Sequence, residues 1–386
     1  MRVGLFNDSF PPSVDGVAQT VKNYALALNK RPDYDVRVVA PRCRGAKDEE
    51  YPFPIYRYAA VPTPRRIGYR AGTPFSPFLL NKLKKQEMDL YHVHCPFASA
   101  VLVDELHHLH RAPIIHTYHT KFDIELRVRV RSSAIRAAAA RIVRHNLEVA
   151  DEVWVVTESC GKSLRDVGYE GDYFVMENGT DFVYGKADDD HVQFLRELYE
   201  IPEDHFVLLF VGRMMWYKNT RIILDALKIA REKGLPFTTL MVGDGLDAPA
   251  IRAYAKQLGL DDVVQFTGML LDREQLRDFY TIADLFLFPS TFDTSGLVVK
   301  EAAACECPSV LTRGSCASEG VVDGVNGFLA DENAEDFARA VLSACENKVT
   351  LERVGAQAGG SLYLSWEDAV KKATARYEEV LRKWNG

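Results

Sequence analysis

The chain has no long apolar run. No stretch approaches the ~18–20 residues that span a bilayer, so no transmembrane helix is predicted. The opening MRVGLFNDSF reaches Asn7 and Asp8 too early for a signal peptide and reads as a first buried strand. Its seven cysteines (Cys43, Cys95, Cys160, Cys305, Cys307, Cys316 and Cys345) are odd in number and include no CxxC pair. That excludes a disulfide framework or a zinc site and predicts a reducing cytoplasm. No repeat of 20–50 residues and no low-complexity segment is present. No acidic D-x-D motif follows a strand, so no metal and no cofactor is expected. A net charge of −7 argues against a nucleic-acid partner.

What is there belongs to an ordinary soluble protein of 386 residues, 47% hydrophobic and 26% charged, with a mean hydropathy of −0.15. That length predicts two or three domains. The charge is uneven: residues 1–180 carry about 25 Lys/Arg against 21 Asp/Glu, and the remainder about 22 against 33. The basic excess is concentrated in residues 121–144, where Lys121, Arg127, Arg129, Arg131, Arg136, Arg141 and Arg144 are opposed only by Asp123 and Glu125.

Short apolar strands alternate with helix-length segments, the pattern of parallel α/β sheets. RVGLF, DVRVVA, LYHVH, PIIHTYH and EVWVVT fall in the first half, and VLLFVG, FTTLMVG, VVQFTG, LFLFPS and PSVLT in the second. Each half can build a doubly wound sheet. A turn-rich boundary at Asn178-Gly179-Thr180-Asp181 predicts domains at 1–180 and 181–364. Ser365-Trp366-Glu367-Asp368 opens a last amphipathic helix within 365–386. Ligands of parallel sheets bind beyond the carboxyl ends of the strands, so function is sought there.

The strongest constellation runs from Pro289 to Ala302 (PSTFDTSGLVVKEA). A strand ends, small residues follow, and a helix starts near Ser295 or Gly296, offering free amides to an anion. Asp293 and Glu301 flank that start. At ~1.5 Å per residue they lie on the order of 10 Å apart, too far for the paired carboxylates of a glycosidase. The spacing suits the two hydroxyl-rich ends of one long ligand with a phosphate between; the alternative is a helix with incidental surface acids. In FVGRMMWYKN a strand delivers Gly212, Arg213 and Lys218, cations that suit phosphate oxygens without a metal; the bland alternative is a solvated basic loop.

Other features read less sharply. Gly243-Asp244-Gly245 is favoured as a tight strand-to-helix turn over a dinucleotide fingerprint. Gly16, after the first strand, permits close backbone approach to a ligand. His116 and His119 end another strand, as site or as core. His107, His108 and His110 read as a solvated helix end.

These residues together resemble family 4 retaining glycosyltransferases of the GT-B fold, including the bacterial diacylglycerol glucosyltransferases, and the resemblance spans essentially the whole chain. The family's E-x7-E is matched by Asp293-x7-Glu301, and its G-R-x5-K pairing survives as Arg213 and Lys218, here with four residues between them. Its V-G-x-G turn is matched by Val242 to Gly245. His94-x-Pro96-Phe97, Tyr118-His119-Thr120, Asn178-Gly179 and Asp323 to Gly327 extend the match. The resemblance implies two Rossmann-like domains facing a cleft. The first takes the acceptor, the second the nucleotide sugar, and the last helix packs back on the first.

By the same resemblance Arg213 and Lys218 hold the diphosphate with the amides of Ser295, Gly296 and Leu297. Glu301 takes the ribose, Asp293 the sugar, His119 lies near the anomeric centre and Gly16 packs close to the donor. Transfer is front-face, with no metal. Three departures stand out: Asp293 where the family has Glu, Glu306 where it has a helix-ending Gly, and Glu177 where it has Pro. The implied reaction is transfer of a hexose, best matched by glucose from UDP-glucose, to diacylglycerol or another lipid. Residues 121–144 then rest on an anionic inner membrane face, or else form a solvated face or pair with the acidic second domain. A soluble acceptor, a GT-B-type sugar-nucleotide epimerase and a non-catalytic nucleotide-sugar-binding protein are the alternatives.

Overall fold

The computed structural model describes residues 1–13, 15–62, 70–73 and 77–386, with backbone alone at 62, 70, 71, 123, 128 and 129. The chain forms two compact units, Met1–Asn178 with Trp366–Gly386, and Gly179–Ser365.

The first unit contains β1 (Arg2–Phe6), α1 (Gly16–Asn29), β2 (Asp35–Pro41), β3 (Ile55–Pro62), β4 (Arg70–Thr73), α2 (Pro77–Lys84) and β5 (Leu90–Val93). It continues with α3 (Ala98–His110), β6 (Ile114–Tyr118), α4 (Phe122–Arg129), α5 (Ser133–Glu148), β7 (Glu152–Val155), α6 (Glu158–Asp166) and β8 (Phe174–Val175). The sheet order is β4-β3-β2-β1-β5-β6-β7-β8, parallel except for the β3–β4 pair. Strands β5 and β6 are buried along their whole length and β1 from Val3 to Phe6, as helices on either side of a parallel sheet require.

The second unit begins with α7 (Asp189–Leu198), β9 (Phe206–Val211), α8 (Thr220–Glu232), β10 (Phe237–Val242), α9 (Ala248–Gln257) and β11 (Val264–Gly268). There follow α10 (Arg273–Ile282), β12 (Leu285–Phe288), α11 (Leu297–Ala304), β13 (Ser309–Thr312), β14 (Phe328–Ala330), α12 (Ala334–Ala344) and α13 (Lys348–Leu362). Its order is β11-β10-β9-β12-β13-β14, with all described pairs parallel. Successive strands run outward from β9 in one direction and from β12 in the other. The point where the order reverses lies between them, and there the helices diverge and leave a crevice at the strand ends.

The last helix, α14 (Trp366–Asn385), belongs to the first unit. Tyr377 stacks on Trp154 with 5.6 Å between ring centroids, and its hydroxyl meets His92 Nδ1 at 2.6 Å. Arg376 forks onto both oxygens of Glu152 at 2.7 and 2.6 Å. Glu177 faces Lys372 of this helix, 3.6 Å away, which gives that departure from the family pattern a local partner.

Candidate active site

The reversal point of the second sheet gathers the sequence-predicted cations and carboxylates. After β9 the chain makes one short helical turn, Trp216–Lys218, and ends it at Asn219, whose φ of 58° is left-handed. Asn219 Nδ2 donates to the carbonyl of Pro289 at 3.0 Å and to Glu332 Oε1 at 2.7 Å. Thr312 Oγ1 donates to the same Pro289 carbonyl at 2.9 Å. The loops after β9 and β12 are thereby fixed to each other. Lys218 reaches across this clamp, and its Nζ donates to Asp293 Oδ1. The buried Ser290 hydroxyl donates to Asp293 Oδ2. Arg213, on the same loop as Lys218, is exposed.

Helix α11 starts at Leu297 with Gly296 as its N-cap, at φ 54° and ψ 49°. A Cβ there would come within 2.8 Å of the Ala317 Cβ, so glycine is required by both conformation and space. Gly296 supplies no side chain to cap the helix, and the positive end of the helix dipole lies beside Ser295, Gly296 and Leu297. One turn further in sits Glu301, buried on the same helix. Its Oε1 accepts from Arg273 Nη2 at 2.7 Å and its Oε2 from the Tyr280 hydroxyl at 3.0 Å. Arg273 also forks onto Asp181 at 3.1 and 2.5 Å. Burial, reinforced by the Glu301 charge, pushes the Tyr280 hydroxyl well above its ordinary range, so it remains a donor. The sequence reading missed Arg273, Tyr280 and Glu332, and included Ser290 in its strongest constellation without giving it a role. Neither Arg273 nor Tyr280 lies in the glycine-rich or strand-end stretches where a site was sought.

Gly243 and Gly245 form a packing turn. A Cβ on Gly243 would lie 1.9 Å from the Gly212 carbonyl oxygen, and one on Gly245 2.4 Å from that of Met214. Glu306 takes up φ 55°, the left-handed conformation of the glycine it replaces. Its side chain accepts from the Tyr184 hydroxyl at 2.9 Å.

Gly16 and His119 belong to the first unit, whereas Arg213, Lys218, Asp293, Ser295, Gly296, Leu297 and Glu301 belong to the second. Gly16 opens α1 behind the cap Asp15, whose carboxylate accepts from the Ala18 amide at 2.8 Å; among the described residues, its chain neighbours and own helix backbone aside, nothing lies within 4 Å of a Cβ built on Gly16. His119 is buried, and its Nε2 meets His94 Nδ1 at 2.9 Å in a stacked pair. His92, His94, His116 and His119 form one buried cluster at the carboxyl ends of β5 and β6. Burial, with the neighbouring imidazole of His116, lowers His119 to about 3, and burial lowers His116 to about 4. The same causes hold His92 and His94 well below the usual range. At neutral pH the cluster is uncharged. His107 departs from the solvated reading: its ring packs on Trp384 at 5.6 Å and its Nδ1 meets the Ala112 carbonyl at 2.8 Å.

Within 121–144, Arg127, Arg131, Arg141 and Arg144 are exposed, as are Ile135 (59%) and Ile142 (48%), one helical face apart by two turns. Arg136 is occupied, donating to the carbonyls of Val130 and Arg131 at 2.9 and 2.8 Å. The Arg129 side chain lies outside the described residues. Among the described residues no helix is long and apolar enough to cross a membrane, and no group of three or more His, Cys, Asp or Glu is placed to hold a metal ion.

Two Rossmann-like sheets, with cations and carboxylates at the reversal point of the second, define a GT-B glycosyltransferase. Residues 14–183 match the Glycosyltransferase Family 4 domain and residues 192–359 the Glycosyl transferases group 1 domain. The chain belongs to the family 4 glycosyltransferases of the GT-B fold. It is 25% identical to the alpha-monoglucosyldiacylglycerol synthase of Acholeplasma laidlawii over 87% of this chain and 86% of that protein. It is 28% identical to the D-inositol 3-phosphate glycosyltransferase of Corynebacterium kroppenstedtii over 72% and 64%. The crystal structure of Anabaena HepE in complex with UDP and glucose has a similar fold, with a TM-score of 0.78 at 20% identity, covering 98% of this chain and 100% of that one.

Proposed function

We propose that the protein is a retaining, metal-independent hexosyltransferase that moves glucose from UDP-glucose to a lipid acceptor of the diacylglycerol class. The carrying observation is the arrangement of Lys218, Asp293 and Glu301 around the first turn of α11 at the sheet reversal. In this reading the second unit binds the donor and the first the acceptor. Lys218, Arg213 and the amides of Ser295, Gly296 and Leu297 take the diphosphate, and Glu301 takes the ribose diol. Asp293 takes glucose hydroxyls once Lys218 turns to phosphate. Gly16 leaves room for close backbone approach, and the neutral His119 offers a hydrogen bond near the anomeric carbon.

The acceptor hydroxyl oxygen bonds to the anomeric carbon on the face the leaving group departs from, while the bond from that carbon to the diphosphate oxygen breaks. The departing phosphate oxygen takes the acceptor's proton, so no protein base is consumed. The cations offset the charge that develops on the diphosphate.

The likeness to a monoglucosyldiacylglycerol synthase and the exposed isoleucines and arginines of 127–144 support a lipid acceptor reached from the cytoplasmic face of a membrane. The likeness to an inositol-phosphate glycosyltransferase supports a second reading, a soluble polyol phosphate acceptor. The test is a nucleotide and donor screen by thermal shift with EDTA present, followed by turnover with mixed vesicles and with soluble polyols. UDP and UDP-glucose are expected to raise Tm, and diacylglycerol vesicles to be glucosylated. Loss of UDP binding in EDTA overturns the metal-free reading. Turnover of polyol phosphates alone replaces the lipid acceptor, and sugar inversion without any acceptor points to an epimerase.

A further inference from the structure

Each oxygen of a carboxylate has two acceptor lone pairs. On Glu301 one lone pair of Oε1 is taken by Arg273 and one of Oε2 by Tyr280. That leaves acceptor capacity on each of the two neighbouring oxygens, in a carboxylate plane fixed by two donors from α10. Arg273 is fixed in turn, since Asp181 holds both its Nε and Nη2 and its guanidinium lies 4.4 Å from the centroid of the Phe182 ring. Tyr280 is fully buried, with its ring against Phe182 and Phe286 at 5.7 and 5.4 Å. A side chain with three rotatable bonds is thus held in one orientation by residues that are themselves immobilised. Two adjacent acceptors in one plane match a cis-diol, which presents two adjacent donors.

We infer that Arg273 and Tyr280 are positioning residues that make Glu301 a discriminator of ribose from deoxyribose in the donor nucleotide. The inference rests on the reading of Glu301 as the ribose ligand. Their proposed action runs through Glu301 rather than through contact with the nucleotide. They act by keeping both free lone pairs aimed at the diol and by preventing the carboxylate from turning to water or to another cation. A nucleotide lacking the 2′-hydroxyl leaves one buried lone pair without a donor, and that penalty is largest when the carboxylate cannot rotate to relieve it.

The test measures dissociation constants of UDP and 2′-deoxy-UDP by calorimetry for wild type, Glu301→Gln, Tyr280→Phe, Arg273→Met and Arg273→Lys, with Tm of each variant recorded. Wild type is expected to prefer UDP by about tenfold, the worth of one well-aligned hydrogen bond to a charged group. Tyr280→Phe and Arg273→Met are expected to cut that preference to about threefold or less, mainly by weakening UDP. Arg273→Lys is expected to restore it in part. A uniform loss of stability lowers Tm without changing the ratio of two ligands bound by the folded protein, so a merely structural role leaves the preference intact. If Glu301→Gln abolishes the preference while the Tyr280 and Arg273 variants keep it, the positioning role is overturned and the ribose site stands. If Glu301→Gln itself keeps the preference, both fall together.

Discussion

The Lys218 ammonium donates to the Asp293 carboxylate, so the two charges proposed to serve the diphosphate and the adjoining sugar of the donor neutralise each other. Both side chains are more than three-quarters buried, and Ser290 holds the second carboxylate oxygen. Asp293 is one methylene shorter than the glutamate of the family pattern. Its short reach is met by Ser290 of its own loop and by Lys218 of the loop after β9, which keep the carboxylate close to the strand ends.

This pair predicts unequal effects of two substitutions. Lys218→Met removes a charge-assisted hydrogen bond to phosphate, worth about 1.5–3 kcal/mol, and is expected to weaken UDP about 10–100-fold. Asp293→Asn releases Lys218, so UDP affinity is expected to hold or rise, while kcat with UDP-glucose falls about tenfold or more through lost contacts to the reacting sugar. Calorimetry with UDP and steady-state kinetics separate the two. Equal losses of UDP affinity in both variants would mean that Asp293 serves chiefly to aim Lys218.

The histidine cluster predicts acid sensitivity of the first unit. Unfolded histidine has a pKa of ~6.5, and the folded values lie below it, at about 4 for His116 and about 3 for His119. Between those limits the unfolded chain binds more protons than the folded one. Stability is therefore fully present above pH ~6.5 and is lost as pH falls, at up to about 1.4 kcal/mol per pH unit for each histidine. Urea unfolding at pH 7, 6 and 5 is expected to show this slope, and His116→Gln to reduce it by one proton. A slope unchanged in His116→Gln would remove that residue from the account.

Glu306 predicts a gain. Its left-handed backbone costs a non-glycine residue about 1–2 kcal/mol, partly offset by the Tyr184 hydrogen bond at the surface and by the lower chain entropy of Glu in the unfolded state. Glu306→Gly is expected to stabilise the second unit by on the order of 0.5 kcal/mol, read as a higher urea midpoint. A loss of stability would mean that the Tyr184 contact outweighs the strain.

The sequence exposed what depends on strand-end chemistry. The ten strand segments read from apolar runs all carry strands, and Gly212, Lys218, Asp293 and Gly296 lie at strand ends or helix starts where short-range pattern is informative. Strands β3, β4, β8 and β14 escaped because they are short, interrupted by polar residues, or bounded by proline, and pairing with a formed sheet edge decides them. Arg273 and Tyr280 escaped for a different reason. They lie on α10, 28 and 21 residues from Glu301, and only the packing of α10 against α11 gives them a shared target. The histidine cluster was half legible: His116 and His119 share one strand-end segment, but His92 and His94 join them only through the β5–β6 pairing.

The final prediction concerns the surface built by α4 and α5. Of the 16 residues of α5 only Val143, Asn146 and Leu147 are buried, and Ile135 and Ile142 face outward beside Arg141 and Arg144. Arg144 has a nearby partner in Glu148 at 3.5 Å, and Arg136 is spent on backbone carbonyls. Arg127, Arg131 and Arg141 are then the strongest candidates to meet lipid phosphate. Basic residues near an anionic surface contribute about 1 kcal/mol each, screened over ~8–10 Å at physiological salt. Three such residues supply reversible recruitment, and two isoleucines entering the headgroup region add a component that salt does not screen. Co-sedimentation is expected with phosphatidylglycerol-containing vesicles and not with phosphatidylcholine alone. Arg127→Glu with Arg131→Glu is expected to abolish most binding at 0.1 M salt, and Ile135→Ser with Ile142→Ser to remove the fraction that survives high salt. If wild type ignores anionic vesicles at low salt, the face is merely solvated, and the soluble polyol acceptor becomes the reading to pursue.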